Sequence, residues 1–87
     1  MAQNQHLSKL DEFSDWLVGS KDLSLRSSRD VVCRLRRVSK FLNPLCSKDD
    51  AEIGFIVSHL PAFAKCSSSV RSQLKRSIVL YRQFIRA

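Results

Sequence analysis

The sequence has little of what a sheet-rich or disulfide-bonded protein needs. Only two of its 87 residues are Gly and two are Pro, which leaves few residues for the tight turns between strands. Its three cysteines, Cys33, Cys46 and Cys66, are widely spaced, include no Cys-x-x-Cys pair and have no His at zinc-ligand spacing. We therefore expect free thiols, no metal site and a reducing, cytoplasmic location.

Long apolar runs are also missing. No stretch approaches the roughly 20 apolar residues that cross a bilayer. The first residues do not combine a basic stretch with an apolar run, as a secretory signal does. We expect one domain over residues 1–87, without a membrane anchor. Because so short a chain buries only about 60% of its unfolded surface, its core must be compact.

Apolar residues recur at spacings of three and four, which is typical of amphipathic helices. The spacing predicts four helices, over about 6–18, 24–42, 48–60 and 69–86. Gly19 is the expected left-handed cap of the first helix, and Ser24 is the expected N-cap of the second. Asn43-Pro44 should stop the second helix, and Ser47 should precede the third. The predicted fold class is all-α, a compact bundle of four helices.

Each predicted helix has an apolar stripe that the core should bury. The stripes contain Leu10, Phe13 and Leu17; Val31, Leu35, Val38 and Leu42, with Phe41 beside them; Ile53, Ile56, Val57 and Leu60; and Val70, Leu74, Ile78, Tyr81, Phe84 and Ile85. Trp16 flanks the first stripe, where it is expected to cover the edge of the core.

Acidic residues are scarce where the cations are concentrated. The formal net charge is +7, and residues 21–45 and 66–87 each contribute +5. An ordinary soluble helix mixes both signs, because opposite charges at i,i+4 stabilise it. Rows of one sign repel each other, so they favour a polyanionic partner that relieves the repulsion. Arg outnumbers Lys, and its planar guanidinium suits phosphate and guanine.

Other readings of the basic rows fit less well, although one stays open. A single basic row is often a solvated helix face, but here there are two. A helix that binds a membrane surface exposes bulky apolar residues beside its cations. RNA binding is harder to exclude. A reader of single strands exposes aromatic rings, whereas Phe13, Phe41, Tyr81 and Phe84 lie at core spacing and leave Trp16 as the candidate for stacking. The open alternative is a small basic adaptor that binds an acidic protein surface.

Catalysis has little support in the sequence. His6 and His59 have no neighbouring nucleophile and acid at a useful spacing. The acidic residues Asp49, Asp50 and Glu52 fit the first turn of a helix, where they oppose its dipole. A Gly-rich phosphate loop is absent. We expect no catalytic residue, no cofactor and no small-molecule substrate.

Several stretches resemble a known family. The run Lys21–Ser27, followed by an apolar ladder that ends in Phe41-Leu42, resembles the second helix of the N-terminal core-binding (SAM-like) domain of tyrosine recombinases and phage integrases. Phe13, Trp16 and Leu17 are similar to the first helix of that domain. Ser69–Leu74, with Tyr81 and Phe84, is similar to its last helix.

The resemblance implies a mechanism. In that family the domain is half of a clamp around double-stranded DNA, with its second and fourth helices toward the major groove and other protomers bound on the same DNA. Strand cutting belongs to a separate domain with an Arg, a His-x-x-Arg and a Tyr nucleophile; Tyr81 here lies at core spacing instead. Together with the basic rows, the resemblance predicts these DNA-binding residues: Ser24, Arg26, Ser27, Arg29, Arg36, Arg37, Lys40, Arg71, Lys75, Arg82 and Arg86.

Overall fold

Four α-helices pack around one core in the part of the chain that the computed structural model describes, residues 9–45 and 48–86. The helices are α1 (Leu10–Ser20), α2 (Leu25–Ser39), α3 (Asp50–His59) and α4 (Ser68–Arg86), and these residues form no strand. A 3-10 turn, Pro61–Phe63, connects α3 to α4. The predicted all-α bundle is confirmed. The part of the first predicted helix before residue 9 lies outside the described residues.

The longest helix, α4, lies at the centre of the packing. It contacts α2 most extensively, then α3 and α1, and α1 also packs against α2. Tyr81 on α4 is fully buried, which confirms its predicted place in the core. Its ring meets the ring of Phe13 edge-on at 5.2 Å between centroids. Trp16 is half-buried beside Phe13 and Phe84, at the edge of the core as the sequence predicts.

Side-chain caps fix where three of the helices begin. Ser24 is the N-cap of α2, as predicted, and its Oγ accepts a hydrogen bond from the N–H of Ser27 at 3.1 Å. Asp49 caps α3 and forms a reciprocal capping box with Glu52. The hydroxyl of Ser67 accepts from the N–H of Val70 at 3.2 Å in the first turn of α4. The predicted role of Ser47 lies outside the described residues.

Two predicted helix ends are wrong. Gly19 does not cap α1, because the helix continues to Ser20 and the left-handed residue is Asp22, with φ of 61°. The helix α2 ends at Ser39, before Asn43-Pro44 is reached. There the N–H of Phe41 bonds to the carbonyl of Val38, three residues back, which tightens the last turn.

The residues that the core buries also differ in part from the predicted stripes. Phe41 lies beyond the end of α2 with 54% of its surface exposed, and Ile85 near the end of α4 is 41% exposed. Both were expected in or beside a buried stripe. In their place the core contains Phe63 from the 3-10 turn, which is 1% exposed and lies in a segment that the sequence indicated only as a connector.

Candidate nucleic-acid interface

The outer side of α2 carries five exposed cations. They lie opposite the buried stripe of Val31, Leu35 and Val38, because their spacing places them on one face of the helix. We call this surface the α2 basic face; it consists of Arg26, Arg29, Arg36, Arg37 and Lys40.

The cations of the α2 basic face have no acidic partner within the described residues. The ion pair that occurs there joins Arg82 to Asp50, on other elements. Arg37 does touch neighbouring groups: its Nη2 lies 3.8 Å from the Sγ of Cys66, and its Cζ lies 5.5 Å from the centroid of the Phe63 ring. Neither contact neutralises the charge. Against these five cations α2 carries one exposed acid, Asp30, so the face has a net positive charge.

An acidic helix borders this face on one side. The helices α1 and α2 meet where the hydroxyls of Ser14 and Ser28 lie 2.7 Å apart, with Ser28 fully buried. Next to that contact, a groove runs between Asp11 of α1 and the arginines Arg29 and Arg36 of α2. Glu12 and Asp15 also lie exposed on α1. A polyanion would therefore be attracted by the α2 basic face and repelled by the exposed acids of α1 on the other side of this groove.

The basic row on α4 faces α3 and the connector more than it faces solvent. The Nζ of Lys75 donates to the Oγ of Ser58 at 3.3 Å, beside Gly54. The Nη1 of Arg71 donates to the carbonyl of Ala64 at 3.4 Å. Lys75 and Arg71 are both half-buried. These two predicted phosphate contacts thus hold bonds within the protein, and they are less available to an external ligand than the cations on α2.

Arg82 is buried, which argues against its predicted role as a phosphate contact. Only 8% of the residue is exposed. Its Nη1 donates to the carbonyl of Pro44 at 2.8 Å and its Nη2 to the carbonyl of Lys48 at 2.7 Å, while Nε lies 2.8 Å from Oδ1 of Asp50. The residue lies between the apolar stripe of α4 and the start of α3, and its three nitrogens all contact oxygens of the protein.

The remaining predicted residues lie at helix ends. Ser24 and Ser27 are exposed at the start of α2, next to the first cations of the basic face, and their hydroxyls are 3.1 Å apart. Arg86 is exposed at the end of α4, beside Leu45 and Ile85. The structure therefore brings Ser24 and Ser27 together with the α2 basic face, and it places Arg86 on another element.

Sequence reasoning missed two exposed aromatic rings. Phe41 lies just beyond α2, and Phe55 on α3 is 64% exposed. Phe55 falls between the buried residues Ile53 and Val57, and it lies against the ring of His59. The Asn-Pro pair that follows Phe41 could have predicted its exposure. A helix usually ends before such a pair, and the buried stripe ends with the helix.

Other kinds of site find no support in residues 9–45 and 48–86. No group of three His, Cys, Asp or Glu side chains there is placed to hold a metal ion. Cys33 and Cys66 are free thiols, and Cys46 lies outside these ranges. None of the helices described is long and apolar enough to cross a membrane.

Comparison with known proteins adds no relative. No protein family, curated protein or solved structure matches the chain. The similarity to the core-binding domain of tyrosine recombinases therefore stays a prediction from the residues quoted above.

Proposed function

We propose that the chain binds double-stranded DNA through the α2 basic face. The observation that carries this proposal is the set of five exposed cations on one helix face, without an acidic partner in the described residues. Each Lys or Arg that contacts a phosphate releases condensed counterions, and that release supplies much of the affinity of a protein for DNA.

The length of the face supports a duplex as the ligand. Arg26 and Lys40 lie at its two ends, and at 1.5 Å per residue they are separated by about 21 Å along the helix axis. A major groove about 12 Å wide admits a helix, so cations at the two ends would reach phosphates on both sides of the groove. Arg29 and Arg36 lie between these ends on the same face, and they would bind further phosphates along the groove.

The residues of the interface follow from burial. The proposal assigns phosphate contacts to the α2 basic face, with Ser24 and Ser27 at the start of the helix as further polar contacts. It leaves out Arg82, which is buried, and gives no leading role to Arg71 and Lys75, which bond to Ala64 and Ser58. Binding, rather than catalysis, is the proposed activity.

The recombinase resemblance gives the proposal a biological setting. We propose that the chain is the DNA-gripping domain of a tyrosine recombinase, with the catalytic residues in another domain. The resemblance implies that both the second and the fourth helix face the DNA. The free cations on α2 support the first half of that expectation. The contacts of Arg71, Lys75 and Arg82 favour a smaller role for α4.

A salt titration tests the proposal. Affinity for a fluorescently labelled duplex is measured by anisotropy over a range of salt concentrations. If all five cations of the α2 basic face contact phosphates, the slope of log affinity against log salt is about −4.5, at about −0.9 per contact. The matched control is Lys48→Gln, which removes an exposed cation beside α3 and should leave the slope unchanged. Undetectable binding, or binding insensitive to salt, would overturn the proposal.

The alternative function, binding to an acidic protein surface, would use the same cations, so a separate experiment must distinguish it from DNA binding. Competition with polyglutamate at matched charge compares carboxylates with phosphates. We expect duplex DNA to displace bound polyglutamate at a far lower concentration than polyglutamate needs to displace bound DNA. Guanidinium groups bind phosphate bidentately, and a helix fits the major groove. Equal competition would contradict DNA as the ligand and support an acidic protein surface.

A further inference from the structure

The ring of Phe41 contacts the core on one side and is exposed to solvent on the other. It lies immediately after the end of α2, where 54% of the residue is exposed. Its ring meets that of Phe63 nearly edge-on, with centroids 5.5 Å apart and an angle of 83° between the planes. Phe63 is buried in the core. The exposed ring is therefore held in place by a core residue.

Cations of the α2 basic face lie next to this ring. Arg37 is four residues before Phe41, and its guanidinium lies over the same Phe63 ring, at 5.5 Å from Cζ to the centroid. Arg37 and Phe41 thus share one support, and the exposed Lys40 adjoins Phe41 in the chain. We call this surface the Phe41 patch; it consists of Arg37, Lys40 and Phe41.

The chemistry of the patch fits an unpaired nucleotide. An aromatic face stacks on a nucleobase whatever its sequence, while neighbouring cations bind the phosphates that join it to the next nucleotide. Within a duplex the faces of the bases are hidden in the stack, so Phe41 could reach one only by unstacking it, which costs a few kcal/mol. A base at a single-stranded tail, a branch or a frayed end has a free face.

We propose that the Phe41 patch binds an unpaired nucleotide adjoining a duplex that lies on the α2 basic face. This inference rests on the proposed function and narrows its ligand to duplex DNA with a single-stranded tail or branch. An apolar protein partner is the competing occupant of an exposed Phe. The two adjacent cations favour the nucleotide, because they provide charge that a polynucleotide neutralises and an apolar surface does not.

The test compares three DNAs that share one duplex. The first is blunt, the second has a short thymine tail, and the third has an abasic tail of the same length. The abasic tail carries the same phosphates as the thymine tail but no bases. We expect the wild-type protein to bind the thymine-tailed duplex about tenfold more tightly than the abasic-tailed one, within the range for one stacked base.

Substitutions at Phe41 then locate the stacking. Phe41→Leu keeps an apolar side chain but should abolish the tenfold difference, whereas Phe41→Trp should retain it. Phe55→Leu is the matched control, because Phe55 is also more than half exposed but lies on α3 beside Glu52 and His59. As a direct measure, 2-aminopurine placed in the tail should be quenched on binding by wild type and less by Phe41→Leu. Thermal unfolding of each variant confirms that it is folded.

The outcomes separate this inference from the proposed function. Equal affinity for thymine and abasic tails overturns the Phe41 patch as a base-stacking site, while salt-dependent binding of the blunt duplex still supports the proposed function. A tenfold difference that persists in Phe41→Leu also overturns it. Loss of blunt-duplex binding with retained binding of thymine tails would overturn the duplex proposal and support stacking.

Discussion

The Nε of Arg82 lies 2.8 Å from Oδ1 of Asp50, and this ion pair joins the last helix to the start of α3. The arginine side chain is 9% exposed and the aspartate side chain 44%. The same guanidinium donates to the carbonyls of Pro44 and Lys48. A single side chain of α4 therefore holds the connection between α2 and α3 in place.

The unequal burial of the pair predicts unequal effects of removing each partner. Arg82→Met leaves two carbonyls without their donor, so we expect a loss of about 3 kcal/mol in the free energy of unfolding. Asp50→Asn removes the counter-charge of the buried guanidinium, but the Asn oxygen can still accept from Nε and water screens the half-exposed position. We therefore expect a smaller loss, of about 1 kcal/mol. Chemical denaturation of both variants measures the two values. Equal losses would contradict the assignment of Arg82 to the interior, and so would a weaker salt dependence of DNA binding in Arg82→Met.

The arginines of the α2 basic face should differ from the lysine of α4 in DNA binding. We expect Arg29→Gln and Arg36→Gln each to lower the salt slope by about 1, because each removes one phosphate contact. Lys75→Gln should leave the slope nearly unchanged, since its ammonium donates to Ser58. Anisotropy titrations of the three variants test this ranking. A larger effect at Lys75 than at Arg29 would place the interface on α4 instead.

Two substitutions of Ser24, the N-cap of α2, can separate its effect on stability from its effect on DNA binding. Ser24→Ala removes the acceptor for the N–H of Ser27 and should cost about 1 kcal/mol of stability. Ser24→Asp keeps the cap, so we expect stability within about 0.5 kcal/mol of wild type. Its negative charge beside the α2 basic face should weaken DNA binding. If Ser24→Asp binds DNA as wild type does, the start of α2 lies outside the interface.

Gly19 and Gly54 should differ in how well they tolerate replacement by Ala. A Cβ added at Gly19 meets nothing within 4 Å, so Gly19→Ala should stabilise α1 by up to about 1 kcal/mol. At Gly54 an added Cβ would lie 3.2 Å from Cδ of Lys75, and the lysine must move. Gly54→Ala should therefore gain less than Gly19→Ala. Melting temperatures of the two variants provide the comparison, and Lys75→Ala should restore the missing gain.

Helical periodicity predicted most of the core, because apolar residues spaced three and four apart share the face of a helix that is buried. Leu74, Ile78 and Tyr81 lie on the stripe expected of them and are fully buried. Phe63 could not be found in this way, because it lies in a short 3-10 turn without a period of its own. The end of α1 was missed for a related reason. Gly19 is a local signal for a cap, but the helix continues one residue past it and turns at Asp22.

The charged surface was harder to predict than the core. A helical wheel places Arg71, Lys75 and Arg82 beside the apolar stripe of α4, but it does not show what packs on that side. In the structure α3 and the segments next to it accept bonds from all three. On α2 the five cations lie opposite the stripe and are exposed, which the helical wheel alone predicts. Position relative to the stripe, more than the number of cations, decides which of them are exposed.

The reach of Arg82 along the chain has a kinetic consequence. Its carbonyl partners, Pro44 and Lys48, precede it by 38 and 34 residues. Contacts that close so large a loop form late in folding. The chain must lose the entropy of closing the loop before the contact contributes any stabilisation. The bonds of Arg82 should thus form after the transition state for folding. Losing them would make the protein unfold faster while it refolds at nearly its original rate.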